Sequence, residues 1–142
     1  MGIIGKAVVG TEIGPLVKHM TQEKMTLFSG RGREGAGGIH ISPDAARDRL
    51  GLESPIASGQ MSLGYAAQML RQAFGVEAFN HTGTVDLVFV RPVVHGDTVT
   101  VKGTITETKP EGKGQRVIVK LLCENQNGER TATGTGSVLI PM

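Results

Sequence analysis

The chain has one cysteine, no tryptophan and few aromatic residues of any kind among its 142 residues. A lone Cys123 forms no internal disulfide and lacks the companions of a structural zinc site, so neither staple is expected. A single thiol is compatible with a reducing compartment. No run approaches the roughly 18 to 20 consecutive apolar residues that a membrane helix needs. The opening Met1-Gly-Ile-Ile-Gly-Lys also has too few apolar residues before Lys6 for the core of a secretory signal. A cytoplasmic location without a membrane partner is the expectation. Net charge is only +2, with basic residues spread along the chain. Nucleic-acid binders concentrate basic residues in a groove and interleave stacking aromatics. Arg31 and Arg33 are too small a cluster for that, so no nucleic acid is expected.

What is present changes period halfway along. Pro15 to Met20 reads as a short strand, and Thr21 as the N-cap of a helix over Gln22 to Ser29, with Glu23 in its first turn. Met25, Leu27 and Phe28 would supply its buried side. Gly30 to Gly38 is too glycine-rich for a helix or a strand interior and reads as a loop. Ser42-Pro43 then begins a short helix over Asp44 to Leu50, ended by Gly51.

The longest helical pattern follows. From Gln60 to Phe74, Met61, Tyr65, Met69 and Leu70 recur near helical spacing, and Gly75 is the natural stop. Arg71 is its only charge, which predicts burial around most of its circumference. Beyond it, four runs alternate with period two, beginning near Thr84, Val99, Val117 and Thr131. His95-Gly96-Asp97, Lys109 to Gly114 and Asn125 to Gly128 part them, which predicts an antiparallel meander with an Asn127-Gly128 hairpin turn. A sheet wrapped around one buried helix satisfies both patterns. The expected class is α+β, with residues 1–142 in one domain.

Three segments carry a resemblance. Gly38-Ile39-His40-Ile41-Ser42-Pro43-Asp44-Ala45-Ala46, Pro55-Ile56-Ala57-Ser58-Gly59-Gln60-Met61 and Val90-Arg91-Pro92-Val93-Val94-His95-Gly96-Asp97-Thr98-Val99 resemble, in order and spacing, the MaoC-like family of (R)-specific enoyl-CoA hydratases and dehydratases. The resemblance covers about residues 8 to 140 and implies a hot-dog fold. It implies reversible addition of water to a 2-enoyl thioester. A homodimer or higher homo-oligomer, with the site between subunits, is the matching expectation. The small-molecule acyl thioester carries CoA or an acyl carrier as part of itself, so no separate cofactor and no metal are expected.

Such chemistry requires an acid/base and a donor for the thioester oxygen as it gains charge. His40 matches the family histidine, and the Gly59 amide matches the donor at the start of the central helix. A helix N-terminus suits that task through its N–H groups and dipole. The catalytic loop departs from the family pattern Asp-x-Asn-Pro-x-His. Gly35 stands in place of the aspartate, Gly37-Gly38 in place of Asn-Pro, and Ser58 where the family usually has histidine. Glu34 is either a replacement carboxylate or a counter-charge to Arg31 and Arg33.

Other residues carry two readings each. Ser58 and Ser62, near the helix start, are either substrate contacts or ordinary caps. Arg31, Arg33 and Arg91 either meet the phosphates of a CoA carrier or are surface charge, with Arg91 bracing Pro92. Tyr65 reads as core with a hydroxyl in need of a partner, and His81 and His95 as structural. The leading function is an acyl-CoA hydratase or dehydratase. A hot-dog subunit that binds acyl-CoA or a partner without chemistry is the alternative. An acyl-CoA thioesterase ranks third, because the central helix holds no acidic residue as a hydrolytic base.

Overall fold

Thr21 begins the first helix as its side chain predicts: its Oγ1 accepts the Lys24 amide at 3.1 Å. The computed structural model describes residues 4, 6–29, 57 and 59–141. Within them the order is β1 (Glu12–His19), α1 (Gln22–Ser29), α2 (Gly59–Phe74), α3 (Val76–Thr82), β2 (Thr84–Phe89), β3 (Thr98–Glu111), β4 (Gly114–Glu124) and β5 (Arg130–Pro141). The glycine-rich loop and the helix expected over Asp44 to Leu50 lie outside the described residues.

The five strands form one antiparallel sheet in the order β1-β3-β4-β5-β2. This corrects the expected meander in one respect. Strands β3, β4 and β5 follow one another as hairpins, but β2 pairs with β5 on the far edge and β1 takes the place beside β3. The stretch from Val90 to Asp97 crosses from the β2 edge to β3, next to the other edge strand, rather than turning tightly, so β2 and β3 are not neighbours. The ladder between β3 and β4 is also longer than the alternation suggests. It runs to Glu111 opposite Gly114, because Gly112 takes a φ of 59° and closes the hairpin in two residues. Helix α3 was not expected from the sequence. Its seven residues are too few to show a period, yet Phe79 is buried and the Thr82 hydroxyl donates to the Ala78 carbonyl at 2.6 Å.

The alternating residues supply the core. Val99, Val101, Ile105, Val117, Val119, Leu121 and Cys123 are fully buried against α2, whose Ala66, Met69, Leu70 and Ala73 are buried in turn. The helix is buried round most of its girth, with Gln60, Gly64 and Gln72 exposed. Its one charged residue, Arg71, hydrogen-bonds Asn80 at 2.9 Å and lies 4.9 Å from the Phe79 ring centroid, a cation–π contact.

Two sheet glycines make room for this helix. A side chain at Gly103 would meet Val119 Cγ1 at 2.8 Å and Met69 Cε at 3.2 Å. One at Gly136 would meet Leu70 Cδ1 at 2.7 Å. Large residues from the helix thus settle where the sheet carries none. The arrangement is an α+β hot-dog fold, a sheet curled around one central helix. We expect Gly136→Val to lower unfolding free energy by about 1–3 kcal/mol through overpacking against Leu70, measured by urea denaturation.

Candidate functional site

A backbone contact helps to hold the start of α2. The Ala57 amide donates to the Val93 carbonyl at 2.6 Å, tying the chain two residues before the helix to the Arg91-Pro92-Val93 segment. That segment is braced in turn. The Val94 amide donates to Asp97 Oδ2 at 2.9 Å, and Gln126 Nε2 donates to Asp97 Oδ1 at 2.9 Å. Gly96, at a φ of 91°, allows the turn between them, and its amide donates to the Met20 carbonyl at 2.8 Å. Asp97 is therefore a buried structural brace whose carboxylate oxygens both have donors.

Gly59 is the first residue of α2, where helical amides point outward along the axis. A side chain there would strike the Phe89 ring: an ideal Cβ lies 2.9 Å from Cζ and 3.0 Å from Cε2. A larger residue there would have to displace the half-exposed Phe89 ring. Ser62, in the first turn, is 6% exposed and belongs to the buried side of the helix. Gly59 and Ser62 are thus brought together at one helix end. His40, Glu34, Arg31, Arg33 and Ser58 lie outside the described residues.

Other candidates are occupied elsewhere. Arg91 forms an ion pair with Glu129 at 3.1 Å. The Asn125 amide, followed by the Arg91 guanidinium, holds the Glu129 carboxyl below the usual carboxylate range. Tyr65 lies half-buried with the Lys18 ammonium 5.4 Å from its ring centroid, and burial raises its phenol above the ordinary value. His81 and His95 are exposed. Among the described residues, no group of three or more His, Cys, Asp or Glu converges as a metal site would require. No helix among them is long and apolar enough to cross a membrane. An apolar groove of about 720 Å³ lies at the opposite end of α2, lined by Phe74, Val76, Ala78, Leu139 and Pro141. A 16-residue helix separates it from Gly59 by roughly 24 Å, so it does not adjoin the candidate donor.

Phe89 is the site-adjacent residue that sequence reading did not single out. Alternation along β2 sets it on the same face as the half-buried Val85 and Leu87, but gave no sign that it meets Gly59 or stays 49% exposed. Its position just before Val90-Arg91-Pro92 was the available signal.

Comparison with known proteins bears on this geometry. The family model described as a MaoC like domain matches residues 11–127. The chain belongs to the MaoC-like dehydratase family. Among solved structures, this MaoC-like domain is similar to the (R)-hydratase of A. caviae involved in PHA biosynthesis, at 22% identity and a TM-score of 0.76, covering 97% of this chain and 100% of that one. It is similar to an R-hydratase from Pseudomonas aeruginosa, at 20% identity and a TM-score of 0.76, covering 95% and 83%. It is also similar to a 3R-hydroxyacyl-ACP dehydratase complex from Mycobacterium tuberculosis, at 20% identity and a TM-score of 0.71, covering 96% and 99%. At these identities the likeness is one of fold. No functionally curated protein sequence matches the chain.

Cys123 is excluded from chemistry by its setting. It is fully buried on β4, and desolvation pushes its thiol up to about 11. The thiolate is the reactive form, and burial disfavours it. We expect a thiol-specific reagent at about pH 8 to leave the native protein unmodified and to label Cys123 once urea unfolds the chain, read by mass spectrometry.

Proposed function

We propose that this chain is a hydratase or dehydratase of an acyl thioester, interconverting a 2-enoyl and a 3-hydroxyacyl group. CoA or an acyl carrier enters as part of the substrate, and no separate cofactor takes part. Membership of the MaoC-like family carries this reading, together with a glycine amide at the start of a buried, nearly uncharged helix. The similarity in fold to (R)-hydratases supports it.

In the hydration direction, water adds its oxygen to the β carbon and a proton to the α carbon. His40 serves as general acid/base, with Glu34 as its carboxylate partner. The Gly59 amide receives the negative charge that gathers on the thioester oxygen, and the helix dipole favours that charge. Ser58 and Ser62 contact the acyl part, and Arg31 and Arg33 meet the phosphates of the carrier. The protein works in the cytoplasm.

Wild-type protein is expected to consume crotonyl-CoA, followed by loss of the conjugated enoyl absorbance. His40→Ala should lower turnover by roughly 10²-fold or more with an unchanged melting curve. Equal turnover in that variant removes the assignment. Saturable acyl-CoA binding with no turnover by wild type would instead support the non-catalytic subunit, the reading favoured by Gly35 and Gly37-Gly38 in the catalytic loop.

The proposed enzyme is a homodimer joined along β2. This strand is an edge of the sheet and exposes Val88 at 63% and, just beyond its end, Val90 at 57%. Unpaired apolar edges invite pairing with another chain. Val88→Glu, which adds a second negative charge on the face carrying Asp86, should shift the protein towards monomer in light scattering coupled to gel filtration. A wild-type chain that is monomeric at tens of micromolar would contradict the dimer.

A further inference from the structure

The start of α2 has a neighbour that the proposed chemistry does not yet use. Phe89 ends β2, opposite Ala132 of β5, and its ring lies against the place where a Gly59 side chain would stand, 2.9 Å from Cζ, 3.0 Å from Cε2 and 3.3 Å from Cε1. Three ring carbons at such similar distances put that place over the face of the ring rather than at its edge. The ring surface turned towards Gly59 is apolar, so it displaces water.

The strand is anchored where the ring leaves it. The amides of Val90 and Arg91 both donate to the Thr131 carbonyl, at 3.0 and 3.3 Å. The Val93 carbonyl takes the Ala57 amide two residues before Gly59. Ring and helix start are thus held to each other by a short loop of backbone contacts. Yet the ring is half exposed, which is more than a core phenylalanine shows.

We propose that Phe89 is a positioning residue of the site, walling one side of the helix start and holding water off the Gly59 amide. This rests on the hydratase reading, in which that amide meets the thioester oxygen. A donor works best when its surroundings are dry and preorganised, because water competes for the same charge. The benefit then falls on the transition state, where the oxygen is most negative, rather than on substrate binding.

The test compares wild type, Phe89→Ala and Phe89→Leu with crotonyl-CoA, alongside melting temperatures. Phe89→Ala is expected to lower kcat by about tenfold with KM within about twofold. Phe89→Leu, which keeps apolar bulk, is expected to recover most of the loss. Should the alanine variant fail to fold, Phe89→Val retains strand preference and is expected to give an intermediate kcat. An unchanged kcat overturns the inference, as does a loss confined to KM, or a leucine variant no better than alanine. Active wild type with any of these results removes only the role of Phe89. Wild type without turnover removes the hydratase reading and this inference with it.

Discussion

Everything in this fold depends on enclosing α2. Sixteen residues with one charge cannot remain in water as a helix, and the sheet must curl far enough to cover them. Curling brings strand backbone close to helix side chains, and the glycines at 103 and 136 relieve the contact where Met69 and Leu70 arrive. Removing that relief thickens the layer by a side chain on the concave face. The order β1-β3-β4-β5-β2 follows the same need, since the helix is covered by strands from both sides of β3 and β4.

Enclosure also limits where the helix backbone stays accessible. A helix offers its unpaired backbone polar groups only at its ends. At the amino end the Ala57 amide is fastened to Val93, and the turn after Val93 is fastened by both oxygens of Asp97. The Gly-Asp-Thr segment is therefore an anchor for the helix entrance, placed there by covalent continuity with β3. Its aspartate is spent on main-chain and glutamine donors.

Period made the core readable in advance. The switch from helical spacing at Met61, Met69 and Leu70 to alternation from Thr84 onward located one helix and four strands, with Thr21 marking a helix start by its cap. Strand order was not readable, because alternation states which side a residue faces and nothing about which strand lies next to it. That is why β2 was placed beside β3 instead of β5. Helix α3 escaped because it turns too few times to repeat. The place of Gly59 at a helix start was legible through the family resemblance and the helix pattern together. Phe89 was not, since its meeting with Gly59 joins a strand end to a helix start across 30 positions of sequence.

The interior is unusually supplied with thioethers: Met20, Met25, Met61 and Met69 are all buried. Met69 lies between Gly14 and Gly103, with its Sδ 2.8 Å from where a side chain of Gly14 would begin and its Cε 3.2 Å from that of Gly103. An unbranched, polarisable chain in a slot flanked by bare backbone bends to follow its walls without opening a void. The seam between helix and sheet is consequently a compliant gasket, able to absorb small displacements of β1 while the opposite, valine-lined strands stay rigid.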